Sequence, residues 1–456
     1  MKLSKSNIFN VSKLTEEFSF FKRNTNLMFV VDHAGRAGNG FYQTIFDKHP
    51  EVIVSTWIHY FYSYLIFEYG VSDKIKYDDA IRFLNNNPYT ACIFNKNENN
   101  NNFIKKMGGD PNVYINRKLF NKISKELLIK DKFLNRKNII HVFYYALAKS
   151  INKEIYKIKY LLLCDSITTK KENIFIGYKG DIINVVTNDF PKVKLIHLTR
   201  DPRAGFASTN HQFINSLGNM YGIRLNNFPE RFSRLIKSDL NWDSVFVFGF
   251  WVFYFIESYK TIKNKKLEFK NFISLKNEDL NLHFRKTMED HSKVLGIKCL
   301  DEWNQSFIPT MFGAVWKGTG GYNNNYQNNT LGPLKNDSLK ISISIAGPNK
   351  YVTERWKVKL KSREKYILEY LFIDELNEFK YEIEYLKKYG RNKIIFLILL
   401  FLPLSGEIPG FKWLLISFKI SFKEIIERIS YYILLPFFYL TSRIIFIRIL
   451  KSKKLI

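Results

Sequence analysis

Three glycines and an arginine, Gly35, Arg36, Gly38 and Gly40, follow directly on the apolar run Leu27 to Val31 in "LMFVVDHAGRAGNGFYQTIF". A glycine-rich turn between a strand and a helix presents successive backbone N–H groups, which together make a nest for an anion. Arg36 is the cation inside this turn. A guanidinium keeps its proton, so it can steady negative charge but cannot serve as an acid. The G-K-[ST] ending of a nucleoside-triphosphate loop is absent. A second stretch of the same kind is "LTRDPRAGFAS", with Arg200 at the end of an apolar run and Ser208 eight residues on. If a helix opens near Pro202, Ser208 lies about two turns in, on a face able to share an anion with Arg200. Two anion-binding elements, each at the carboxyl end of a strand, suit an open α/β sheet, where ligands sit at those ends.

The elements that must hold these residues are legible in outline. Leu27 to Val31 and "VKLIHLT" (Val193 to Thr199) are apolar enough to be strands buried on both faces, as in a parallel sheet. Phe41, Ile45 and Phe46 recur at helical spacing after the glycine loop, and Val52 to Val54 reads as a short strand. Phe120 to Asn152 is mostly helical in pattern. "SVFVFGFWVFYFIESYK" (Ser244 to Lys260) is apolar over about twelve residues, short of the roughly twenty that cross a bilayer, and reads as a core helix. "FISLKNEDL" (Phe272 to Leu280) reads as a strand running into an acidic helix start. "NKNENNNN" (95–102) reads as an exposed loop. Strands alternating with helices give an α/β fold around a central, mostly parallel sheet flanked by helices.

The chain has 456 residues, 46% of them hydrophobic, enough to bury a large core. Lys and Arg number 70 against 42 Asp and Glu, a formal charge of +28. Such a surplus favours anionic partners, although much of it follows the general abundance of Lys, Asn, Ile and Phe. The three cysteines, Cys92, Cys164 and Cys299, are far apart and odd in number. They give neither a disulfide framework nor metal-ligand spacing, which points to a reducing, cytoplasmic setting. "MKLSKSNIFNVSKLTEEF" does not read as a signal peptide.

Composition shifts near Tyr389. "IIFLILLFLPL" (Ile394 to Leu404) and "ISYYILLPFFYLTSRIIFIRIL" (Ile429 to Leu450) are strongly apolar and flanked by lysines and arginines. The first is too short to cross a bilayer. Pro436, Arg443 and Arg448 interrupt the second, and charges there are costly in hydrocarbon. The expectation is an N-terminal lead-in (1–25), a catalytic domain (26–390) and an apolar, basic helical tail (391–456). That tail either lies monotopically on the inner face of a membrane or packs as helices on the domain.

Several motifs together resemble the sulfotransferase family. "GRAGNGFYQTIFDKHPEV" is similar to its 5′-phosphosulfate loop, [KR]-S-G-T-[ST] followed by a helix and His-Pro. "KLIHLTRDPRAGFAS" is similar to its 3′-phosphate motif. "FISLKNEDL" with "KVLGI", "MFGAVWKGTGG" and "RWKVKLKSREKYILEYL" resemble its later strand, its covering loop and its terminal helix. Ala37, Asn39 and Gly40 depart from the family's hydroxyl residues, which removes side-chain contacts and leaves the backbone nest.

The resemblance implies a P-loop-containing nucleotide-hydrolase-like sulfotransferase fold and the donor 3′-phosphoadenosine 5′-phosphosulfate (PAPS), used without a metal. It implies donor contacts from Gly35, Arg36, Ala37, Gly38, Asn39, Gly40 and Phe41 at the 5′ side, from Arg200 and Ser208 at the 3′-phosphate, and from a cover of Trp316, Lys317 and Gly318. Arg36 would stabilise charge on the leaving group. The acceptor's base would be His59, in "VSTWIHYF", or else His141; His33 and His49 read as structural. Partners would be the nucleotide donor and a hydroxyl-bearing acceptor such as a glycan or lipid, with nucleic acid excluded. A small-molecule kinase is the nearest rival, but it requires the missing loop lysine and Ser/Thr magnesium ligand. A degenerate, inactive membrane- or polyanion-binding relative is the other.

Overall fold

The computed structural model describes residues 11–33, 35–55, 74–86, 115–128, 133–165, 182–216, 247–304, 306–316 and 347–404, with scattered positions within 62–70 and 422–451. Its centre is a five-stranded parallel sheet in the order β2-β5-β1-β6-β7. The strands are β1 (Asn26–Val31), β2 (Val52–Val54), β5 (Tyr160–Asp165), β6 (Lys194–Thr199) and β7 (Phe272–Lys276). Two two-residue pairs lie outside it, β3 (Ile75–Lys76) with β4 (Phe133–Leu134) and β8 (Thr310–Met311) with β9 (Ala314–Val315).

β1 explains the layering. Leu27, Phe29 and Val31 face one hydrophobic core, while Met28 and Val30 face another. All five side chains are fully buried, each worth roughly 1.5–3 kcal/mol relative to exposure. The first core is closed by the helices Val11–Asn24, Arg117–Leu128, Arg136–Ser150 and Ile182–Asp189. The second is closed by Asn39–Ile45, Asn277–Leu282 and Phe284–Leu295. A third core joins the helices Pro202–Ser216, Val247–Glu268, Lys350–Lys359, Ser362–Leu371 and Ile373–Glu378.

From β1 the chain moves to one side of the sheet, to β2 and β5; from β6 it moves to the other, to β7. The connections therefore part between β1 and β6, and a crevice opens beyond their carboxyl ends. The glycine loop follows β1 and the Arg200 segment follows β6, so both candidate anion-binding elements border it.

Several expectations need adjustment. β5, the strand beside β1, is not singled out by the sequence patterns above. The terminal helix of Arg355 to Leu371 is two helices, because the chain turns at Leu360 and restarts where Lys361 N donates to Glu364 Oε2 (2.9 Å). The loop 95–102 lies outside the described residues. Within the tail, Lys393–Phe401 is a helix whose Phe396 and Leu400 are fully buried in the third core, joined there by Leu404 and Leu450. Arg443, which interrupts the second apolar run, is buried against the protein with its guanidinium over the Tyr439 ring (4.7 Å). Among the described residues, no helix is long and apolar enough to cross a membrane.

Candidate functional site

The loop after β1 is held in shape by a residue that the sequence motifs overlook. Asp32, fully buried, accepts a hydrogen bond from Gly35 N (2.8 Å) and another from the Asn39 side-chain amide (3.0 Å). Burial pushes its pKa up to about 7, opposed by the Gly35 N–H, the Asn39 amide, the Ala37 N–H and the Arg36 charge. Gly35, Arg36 and Gly38 all take positive φ, at 80°, 66° and 105°. At Gly38 a side chain is excluded twice over, because a Cβ there would stand 2.0 Å from Asn277 Nδ2. The helix Asn39–Ile45 starts at once, with Tyr42 N donating to Gly38 O (2.9 Å) as its first bond. The N–H groups of Asn39, Gly40 and Phe41 precede that bond, at the positive end of the helix. Asn39 stands where a hydroxyl residue was expected, and its amide is turned into the loop, onto Asp32.

Three arginines meet at the mouth of this loop. Arg200 donates from Nη1 to the Arg36 carbonyl (2.8 Å) and from Nη2 to the Val352 carbonyl (2.7 Å), tying the strained Arg36 peptide to the helix Lys350–Lys359. Arg36 Nε donates to Ser208 Oγ (3.1 Å). Arg355 Nη2 donates to the same oxygen (2.9 Å). Arg200, Arg355 and Ser208 are buried and Arg36 is half-buried. Two guanidinium groups on one buried hydroxyl, with the third on the neighbouring Arg36 carbonyl, form a strongly positive recess suited to a phosphate. Arg355 comes from a helix about 150 residues away and is not among the candidates chosen from spacing.

Behind the recess stands a buried ionic network. Arg203 Nη2 donates to Asp201 Oδ2 (2.8 Å), Nη1 to Glu369 Oε1 (2.6 Å), and its guanidinium lies 4.1 Å from the centre of the Trp356 ring. Glu369 also accepts from Leu386 N (2.7 Å). Glu278 accepts from Asp201 N (3.1 Å) and from the Tyr381 hydroxyl (2.8 Å), and burial raises its pKa. These contacts fix the start of the helix Pro202–Ser216, and with it Ser208.

The histidines separate by environment. His33 lines the crevice with Gly35, Ala37 and Arg200. Its Nε2 lies 2.8 Å from His197 Nε2 and its ring packs on Phe255 (4.6 Å). Burial lowers both imidazoles, His33 to about 3, so one neutral ring donates to the other. His49 is a local brace: Nε2 reaches the Lys298 carbonyl (2.8 Å) and Nδ1 accepts from Glu51 N (3.1 Å). His141 is not brought to the loop. It is fully buried between Phe21 and Phe190, its Nδ1 on the Lys137 carbonyl (2.8 Å), and burial lowers it to about 4. Trp316 is buried, its ring roughly parallel to that of Phe41 (6.2 Å). His59, Lys317 and Gly318 lie outside the described residues.

Solved structures to which the chain is similar include a sulfotransferase domain from the Synechococcus PCC 7002 olefin synthase, 12% identical with a TM-score of 0.39, covering 79% of this chain and 97% of that one. A sulfotransferase domain from the curacin biosynthetic pathway is 13% identical with a TM-score of 0.42, covering 79% and 100%. A sulfotransferase from Mycobacterium avium is 10% identical with a TM-score of 0.31, covering 82% of each. No protein-family model matches the chain, and no curated protein matches it in sequence.

Proposed function

We propose that the chain is a sulfotransferase that moves a sulfuryl group from PAPS to a hydroxyl or amine of an acceptor. The observation that carries the reading is the cluster beside the glycine loop in which Arg36 and Arg355 share Ser208 Oγ while Arg200 holds the Arg36 carbonyl. PAPS bears two phosphate positions on one nucleoside, and the crevice offers two adjoining anion elements. Arg200, Ser208 and Arg355 take the 3′-phosphate. The loop from Gly35 to Phe41 takes the 5′ side through its backbone, with Ala37 and Gly40 leaving room and Asn39 bracing the turn. Trp316, Lys317 and Gly318 belong to the cover.

In the transfer, the acceptor oxygen attacks sulfur, the bond from sulfur to the bridging oxygen breaks, and adenosine 3′,5′-bisphosphate leaves. The leaving phosphate needs no proton, only charge stabilisation. Arg36, whose backbone belongs to the loop and whose guanidinium reaches toward Ser208, is assigned to it. The acceptor's proton goes to a base, for which His59 is retained. The acceptor class we favour is a glycan or lipid-borne hydroxyl.

The test is thermal shift with adenosine 3′,5′-bisphosphate against ATP with magnesium. A rise with the former alone, lost in Arg200→Ala, supports the reading. A rise with ATP and magnesium alone favours a kinase, and a rise with neither removes the nucleotide site. Arg36→Ala lowers turnover by on the order of a hundredfold or more while binding falls less; unchanged turnover takes Arg36 out of the mechanism.

A further inference from the structure

We infer that the first tail helix is an interfacial docking element for an anionic lipid surface, independent of the catalytic reading. The helix Lys393–Phe401 has two unlike faces. Its inner face is committed to the protein: Phe396 stacks on Tyr370 (4.2 Å) and Leu400 is fully buried. Tyr366 holds the entry through its hydroxyl to the Gly390 (3.1 Å) and Asn392 (3.3 Å) carbonyls. The outer face is as apolar as the inner one and faces solvent. Ile394 is 70% exposed and Ile398 is 60% exposed, with Ile395, Phe401 and Leu402 also exposed.

The Tyr439 hydroxyl donates to the Phe401 carbonyl (2.8 Å), which brings a second helical piece alongside. There Leu440 and Ile444, four residues apart, are exposed, while Arg443 turns inward. The charge that would oppose contact with hydrocarbon is thereby withdrawn from the outer surface.

The occupant follows from what rims this patch. Lys387, Lys388, Arg391 and Lys393 are all exposed just ahead of it, with half-exposed Tyr389 among them. An aromatic and cations beside an apolar face match the interface of a membrane carrying anionic headgroups. A second copy fits badly: a two-fold contact through this patch would gather both sets of four cations around one interface, on a chain of net charge +28. Nine residues rise only about 13.5 Å, against about 30 Å of hydrocarbon, so the helix lies in the plane of one leaflet.

The experiment is co-sedimentation of the full-length protein with phosphatidylcholine vesicles, with and without phosphatidylserine. The expected result is at least about tenfold stronger binding to the anionic vesicles, weakened by salt. Ile394→Asp with Ile398→Asp should lower that binding about tenfold or more at unchanged melting temperature, because both side chains face solvent. Lys387→Glu with Lys388→Glu should remove most of the preference for phosphatidylserine. Absence of vesicle binding, or equal binding by parent and the double Asp variant, overturns the inference. So does a lipid-free dimer in light scattering that the same Asp substitutions dissolve, since the patch would then be a subunit interface.

Discussion

Arg355 offers the sharpest separation of ligand binding from folding. Its Nη2 and the Arg36 Nε share one acceptor, Ser208 Oγ, at 2.9 and 3.1 Å. The two nitrogens therefore lie within about 6 Å of each other, where like charges repel by roughly 3 kcal/mol at an effective dielectric constant of 20. Arg355→Met keeps the aliphatic stem and removes the charge. Relief of that repulsion offsets the lost hydrogen bond, typically worth about 1.5–3 kcal/mol when one partner is charged. The ligand-free melting temperature should stay within a few degrees of the parent. Binding of adenosine 3′,5′-bisphosphate should suffer far more. Deleting one partner of a buried charge pair costs about 2–5 kcal/mol, or roughly 30-fold to several thousandfold in Kd. Isothermal titration calorimetry gives the Kd and scanning calorimetry the melting temperature. A Kd within threefold of the parent would refute the recess as a phosphate site. A weaker Kd with a matching loss of stability would show Arg355 to be a structural tie between helices.

Gly38→Ala should destabilise the protein by about 1–3 kcal/mol from the positive φ alone, and further from the contact with Asn277. Adding Asn277→Ala should return only the contact part in urea unfolding; full rescue would mean the loop tolerates a side chain at that angle. Asp32 supplies a pH dependence: its folded value near 7 lies above the ordinary 3.8, so the native state holds a proton that the unfolded chain has lost between those values. Stability from this group is complete below about pH 4 and declines as pH rises through 7, by at most ~4 kcal/mol; Asp32→Asn should flatten that slope in urea unfolding, and an unaltered slope refutes it. Arg203→Met leaves Asp201 and Glu369 buried without their cation and should cost about 3–5 kcal/mol. A loss under about 1 kcal/mol in urea unfolding would show that the network is not what fixes the Pro202 helix.

Legibility in the sequence tracks how local each signal is. β1 and β6 announce themselves because strands buried on both faces must be apolar throughout, and each runs straight into its functional turn. The helix beginning at Pro202 fixes how far Ser208 lies from Arg200, but the bonds to the Ser208 hydroxyl come from Arg36 and Arg355. β5 is as buried as β1, yet "YLLLCD" is a short run without a period of its own, which serves a strand or a buried helix equally well. Arg355 is one cation among several in "ERWKVKLKSREK", and only the packing of its helix against Pro202–Ser216 selects it.

Asp32 was missed for the opposite reason. A carboxylate beside an anion nest looks wrong electrostatically, although Asp side chains commonly accept from backbone N–H groups a few residues along in turns. Once Asp32 is placed, the departure at Asn39 changes its meaning. A hydroxyl at that position would face the ligand, whereas the amide reaches back to Asp32 Oδ2, and Gly35 N fills Oδ1. The two departures thus form one internal brace. It holds the three left-handed turn positions Gly35, Arg36 and Gly38, and the Arg36 carbonyl is in turn fixed by Arg200. Under the proposed function, side-chain contacts to the anion give way to rigidity of the loop's own backbone, and backbone N–H groups held in a fixed curve are what an anion nest requires.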